Sequence, residues 1–209
     1  VSQTVVETIN RGEIHIEEVD LDGLVRGVVE RGLLHASTKV AESDVFVVAV
    51  PTPFDKNHAP DISYVEAAAR AIAPKILPGA CVIVESTSPV GTTERVAAII
   101  ADLRPDLIVP RDGSEDEADI ALAYCPERVL PGRIVNELVH NDRVIGGVTP
   151  ACAERAAVLY TSFVKGDCLY TTARVAETVK LVENSFRDVN IAFANELSMI
   201  ADVIGVDVW

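Results

Sequence analysis

The strongest constraint on this chain is an alternation of short apolar runs, each stopping at polar or Gly/Pro punctuation, with segments of helical periodicity. Residues 44–50 (DVFVVAV) halt at Pro51-Thr52-Pro53, and residues 80–85 (ACVIVE) halt at Ser86-Thr87-Ser88-Pro89. Both read as buried strands. Residues 120–124, 143–148 and 168–172 complete a set of five. Between them, 63–76 is Ala-rich and periodic with Ser63 as a candidate N-cap. Residues 92–103 open with threonines, and Thr149-Pro150 supplies a cap and first-turn proline for a helix to about Phe163. Strand and helix in alternation predict an α/β fold, a doubly wound parallel sheet covered by helices.

The alternation ends near Thr172. From Ala173 to about Val203 there is neither glycine nor proline, which predicts one helix of roughly 45 Å at about 1.5 Å per residue. At 100° per residue, Val175, Val182, Phe186, Val189, Phe193, Leu197 and Ile200 gather on one side. Glu177, Lys180, Asn184 and Arg187 gather on the other. One face is expected to pack and the other to react. Two domains follow, 1–172 and 173–209. The acidic stretch 111–119 (RDGSEDEAD) reads as a solvent-exposed loop without chemistry.

A core for such a sheet is affordable to a chain of 209 residues that is 49% hydrophobic. The net charge of −14 argues against nucleic acid or an anionic membrane as a partner, so a phosphate-bearing ligand must be met by particular cations or amides. No apolar run is long enough to span a bilayer, and the first residues do not resemble a signal peptide, which predicts a cytoplasmic protein. Cys81, Cys125, Cys152 and Cys168 are widely spaced, and His15, His35, His58 and His140 lie in unrelated contexts. No disulfide framework and no metal site are expected.

In an open parallel sheet, ligands meet the carboxyl ends of the strands, which singles out Thr52, Thr87 and Glu127. Each hydroxyl can bond a ribose, a phosphate or a water, although a lone threonine there is ordinarily a turn or capping residue. Glu127 is a candidate general base followed by Arg128 and Arg133, or else one half of a surface ion pair. Lys180, Asn184 and Arg187 are spaced to form an anion or oxyanion clamp. The alternative is a solvated face on which Glu177 pairs with Lys180. Cys125 and Cys168 read as core residues rather than nucleophiles.

Five ordered motifs carry a resemblance: Arg11-Gly-Glu-Ile-His-Ile16, 48–54 (VAVPTPF), 85–91 (ESTSPVG), 124–133 (YCPERVLPGR) and 179–188 (VKLVENSFRD). Together they resemble the UDP-glucose/GDP-mannose dehydrogenase family across nearly the whole chain. The resemblance implies a partial Rossmann-like domain followed by a central, dimer-forming helix. It also implies two NAD-dependent oxidations of a sugar C6 alcohol to the carboxylate, through a thiohemiacetal and a thioester on a cysteine, for surface polysaccharide synthesis. By the same resemblance Thr52 and Thr87 contact NAD, with Thr87 near the reacting water, and Glu127 helps water attack the thioester. Lys180 transfers protons and steadies the oxyanion with Asn184, while Arg128, Val129, Asn184 and Arg187 meet the UDP-sugar.

The family's Gly-rich phosphate loop would precede Val1 and its nucleophilic cysteine would follow Trp209. The chain is therefore expected to be an internal portion, inactive alone. The glucose-oxidising branch has a second carboxylate four residues after the position of Glu127, where this chain has Pro131. That points to the N-acetylmannosamine branch, with UDP-N-acetylglucosamine and UDP-glucose as alternative substrates. The rivals are a 6-phosphogluconate or 3-hydroxy-acid dehydrogenase, and a non-catalytic nucleotide-sugar binding protein.

Overall fold

The computed structural model describes residues 2–113 and 117–208. Helices α1 (Gln3–Asn10) and α2 (Leu21–Glu30) come first. They are followed by β1 (Val45–Val48), α3 (Ser63–Ile72), β2 (Cys81–Val84), α4 (Thr92–Leu103), β3 (Ala121–Tyr124) and α5 (Ile134–His140). The chain continues through β4 (Arg143–Gly147), α6 (Pro150–Thr161) and β5 (Cys168–Thr172) into α7 (Ala173–Ile204). The five strands form one sheet in the order β1-β2-β3-β4-β5.

Period-2 alternation along the strands builds two cores. Val82 and Val84 face one side with Val65, Ile72, Val96, Ile100 and Ala176 from α3, α4 and α7. Cys81 and Ile83 face the other with Ala153, Ala156 and Tyr160 from α6. The α/β expectation holds, and the sheet is mixed. β1, β2 and β3 are parallel, β4 runs antiparallel to β3, and β5 is parallel to β4. The reversal arises because residues 125–142 carry only the seven-residue α5, which returns the chain along β3 without a crossover over the sheet. As a result β5 delivers α7 at the end of the sheet opposite Glu127, and α7 runs back toward it.

Local expectations are adjusted in three places. The carboxylate of Asp61 receives the Ser63 amide at 2.9 Å, so Ser63 is the first helical residue and not the cap. Thr149 does cap α6, accepting from the Cys152 amide, and the helix stops at Thr161, two residues short of Phe163. The apolar stripe of α7, expected to pack, is exposed in this chain. Phe186 is 71% and Phe193 63% accessible, and the helix buries only Ala173, Ala176, Glu177 and Ala201.

Part of the acidic stretch 111–119 lies outside the described residues, and its described flanks are exposed or half-buried. Among the described residues no helix is long and apolar enough to cross a membrane.

Candidate active site

Because β1, β2 and β3 are parallel, the residues that follow them share one edge of the sheet. Two groups form there. In the first, the Thr52 hydroxyl donates to the carbonyl oxygen of Thr87 at 2.6 Å, joining the loops after β1 and β2. Ser86, buried beneath, ties the same loops by accepting from the Val50 amide at 2.7 Å. Thr52 keeps its oxygen lone pairs for a further donor.

The second group surrounds a cavity of about 570 Å³ between the loop after β3 and α7, lined by Arg128, Val129, Lys180, Asn184 and Arg187 among others. The Lys180 ammonium donates to the Glu127 carbonyl oxygen, and the Glu127 carboxylate receives the Val129 amide. Arg128 is pinned to Glu183 by bonds of 2.9 and 2.5 Å. Arg187 is exposed and, like Lys180, makes no ion pair among the described residues, so both offer positive charge to the cavity. The spacing of Lys180, Asn184 and Arg187 thus gathers an ammonium, an amide and a guanidinium on one wall.

Glu177 is not part of this wall. It is fully buried, and its carboxylate accepts from the amides of Gly91 (2.6 Å) and Thr93 (2.8 Å) and from the Thr93 hydroxyl (2.7 Å). A carboxylate there meets the unsatisfied amides that open α4. Its pairing with Lys180, one reading of the sequence, does not occur.

Under the same sheet edge, on the α6 side, lies a buried polar set. The Tyr160 hydroxyl donates to Glu85 at 2.7 Å, and the Arg143 guanidinium lies 5.7 Å from the Tyr160 ring centre. Burial raises the Glu85 carboxyl above its usual range, opposed by the Tyr160 hydrogen bond and the charge of Arg143. Burial also pushes the Cys125 thiol up to about 12 and raises the Tyr160 phenol. Cys125 is accordingly a core residue and a poor nucleophile. Glu85, Arg143, Tyr160 and Glu183 are not singled out by strand ends or helical spacing. A clue in the sequence is a carboxylate directly after β2, at Glu85, two residues earlier relative to its strand than Glu127 is to β3.

A larger cavity of about 830 Å³ lies at the far end of β4, lined by Gly147, Thr149, Glu154 and Tyr170 among others. Its lining holds carboxylates and no Lys or Arg, an unfavourable setting for a phosphate. Among the described residues no group of three or more His, Cys, Asp or Glu is placed to hold a metal.

Comparisons with known proteins identify the family. Residues 1–164 match the NAD binding domain, and 174–209 the central domain, of the UDP-glucose/GDP-mannose dehydrogenase family. The chain is 57% identical over its full length to UDP-N-acetyl-D-mannosamine dehydrogenase of Escherichia coli, covering 50% of that protein. It is 58% identical to NDP-N-acetyl-D-galactosaminuronic acid dehydrogenase of Ralstonia nicotianae, covering 49%. The structure of UDP-D-ManNAc dehydrogenase from Pyrococcus horikoshii superposes with a TM-score of 0.89 at 43% identity, over 99% of this chain and 48% of that one. The chain thus spans about half the length of the curated relatives it matches. On two family models that together cover nearly all of it, the chain belongs to the UDP-glucose/GDP-mannose dehydrogenase family.

Proposed function

We propose that the full-length protein oxidises the C6 alcohol of UDP-N-acetyl-D-mannosamine to the carboxylate of UDP-N-acetyl-D-mannosaminuronate with NAD. Alcohol and water become carboxylate, and two NAD each accept one hydride. The observation that carries the reading is the cavity wall of Lys180, Asn184 and Arg187 facing Arg128 and Val129 beside Glu127. The 57% identity to a UDP-N-acetyl-D-mannosamine dehydrogenase and the 58% identity to an NDP-N-acetyl-D-galactosaminuronic acid dehydrogenase support an N-acetylated nucleotide sugar, of which we favour the mannosamine form because Pro131 stands where the resemblance implies a second carboxylate in the glucose-oxidising branch.

The residues present fit an NAD. Two parallel strands end side by side, flanked by Pro51, Pro53 and Pro89, and the half-buried Thr87 hydroxyl and the lone pairs of the Thr52 hydroxyl can meet a ribose or nicotinamide amide. Lys180, tethered to the strand end by the Glu127 carbonyl, acts in proton transfer at the reacting alcohol and steadies the oxyanion together with Asn184. Glu127 orients the water that releases the acid, near Thr87. Arg187 meets the anionic substrate directly. Arg128, neutralised by Glu183, shapes the wall and approaches the sugar without a free charge.

The division near Thr172 then separates an NAD-binding unit, 1–172, from a central helical unit, 173–209. The exposed stripe of α7 is the face that pairs with a second copy. The reaction belongs in the cytoplasm, where NAD and nucleotide sugars are found.

The test is NADH formation by the full-length protein offered UDP-N-acetylmannosamine, UDP-N-acetylglucosamine and UDP-glucose in parallel, with Lys180→Ala as control. Two NADH per N-acetylmannosamine, lost in the variant, is the expected result. The same yield from another sugar moves only the substrate, and no NADH from any of them overturns the reading.

A further inference from the structure

The stretch from Arg11 to Asp20 carries one of the motifs of the family resemblance, yet none of its side chains enters the chemistry above. The structure gives it contact with the site all the same. Glu18, in the turn between α1 and α2, accepts from the Gly132 amide at 2.8 Å and from the Ile134 amide at 2.9 Å. The partners are 114 and 116 residues away in sequence, so these bonds are tertiary and use both carboxylate oxygens.

The segment they hold, 127–134, has no strand pairing, and one backbone bond of its own, Arg133 amide to Leu130 oxygen at 3.1 Å. Gly132 turns through the left-handed region, at φ 86°. The shape of the segment therefore depends on side chains: Lys180 and Asn141 hold the Glu127 and Arg128 carbonyl oxygens, and carboxylates hold the rest. Glu183 grips it at Arg128, Glu137 receives the Leu130 amide at 2.9 Å, and Glu18 grips its far end. Charge-assisted bonds of this kind are the stronger class.

We propose that Glu18 is a positioning residue for nucleotide-sugar binding: its carboxylate clamps the loop 127–134 and so holds Arg128 and Val129 against α7. The proposal rests on the functional reading above. Without the clamp the loop samples other shapes, and apparent affinity falls in proportion to the fraction that remains competent. Thr52 and Thr87 stand on the loops after β1 and β2, outside the clamped segment, so NAD is not affected. A residue that merely stabilised the fold would not separate the two ligands.

The experiment is steady-state kinetics of the full-length enzyme carrying Glu18→Ala or Glu18→Gln, together with hydrogen exchange at the Gly132 and Ile134 amides. For Glu18→Ala the sugar-nucleotide KM is expected to rise about tenfold, with kcat and the NAD KM within about twofold. Glu18→Gln retains an acceptor oxygen for one amide and gives a smaller rise, and it serves if the alanine variant does not fold. An unchanged sugar KM, or equal losses for sugar and NAD, overturns the proposal. If the parent enzyme forms no NADH from any nucleotide sugar, the functional reading fails on its own. Exchange at Gly132 and Ile134 that Glu18→Ala leaves unaltered then disposes of the clamp as well.

Discussion

At the scale of single residues, burial and charge set distinct behaviour for groups of the same type. Glu85 is the clearest case. Its carboxyl is raised by burial, above all, with the nearby Glu127 acting in the same direction and Tyr160 and Arg143 opposing. A raised acid binds its proton more tightly in the folded state than in the unfolded one. Its contribution to stability is therefore complete below the ordinary value of 4.5 and is lost as pH rises through the raised value. Glu85→Gln, which keeps an acceptor for the Tyr160 hydroxyl, should flatten that dependence. In urea titrations at a series of pH values, the midpoint should fall less from acid to neutral pH than in the parent, and a steeper fall would contradict the assignment. The cysteines offer a second check. Cys125 is fully buried with its thiol at about 12, whereas Cys168 is only half-buried. Alkylation of the native protein should mark Cys168 well before Cys125, and labelling in the reverse order would refute the burial argument.

At the scale of elements, the seating of α7 on the sheet decides where the polar wall stands. Gly146 lies under the first turns of that helix. A Cβ added there would sit 2.4 Å from the Thr172 carbonyl oxygen and 2.6 Å from the Ala176 Cβ. Backbone and a methyl cannot swing aside, so Gly146→Ala should cost about 2–3 kcal/mol, at the upper end for overpacking. A lowered urea midpoint in the full-length protein checks it, and an unchanged midpoint would mean that α7 is held less closely than described. Glu177→Ala should cost about as much, because it strands the Gly91 and Thr93 amides in a buried setting. This seating was only half legible in the sequence. The length of α7 and the strand ends at Thr52, Thr87 and Glu127 follow from apolar runs and punctuation. The direction of β4 does not, since an apolar run has no polarity, and α5 is too short to show a period. The burial of Glu177 against α4 does not follow from its spacing, because helical spacing assigns a face without saying which neighbour covers it. Glu18 and Glu183 carry no local signal, because they act on backbone or side chains more than fifty residues away.

At the scale of the whole molecule, the outstanding fact is the uncovered stripe of α7. Val182, Phe186, Val189, Phe193, Leu197 and Ile200 recur at intervals of three and four, and every one of them is exposed. The helix extends about 48 Å at 1.5 Å per residue, and beyond its first turns the rest of the chain leaves it nearly bare. A stripe of large apolar side chains on that scale exceeds the scattered hydrophobics normal on a soluble surface. A two-fold pairing of α7 with its copy in a second chain would cover it with identical residues from both sides, as isologous interfaces do. Val189 and Phe193 stand at the middle of the stripe, and Val189 does not line the cavity of Lys180 and Arg187. Val189→Asp combined with Phe193→Asp should therefore convert a dimeric full-length protein to monomers without removing any group proposed to touch substrate. Light scattering across a concentration series reads the mass directly. A parent protein that stays monomeric at micromolar concentration would rule out self-pairing and assign the stripe to the remaining part of the full-length chain, whereas a dimer that survives both aspartates would place the interface elsewhere.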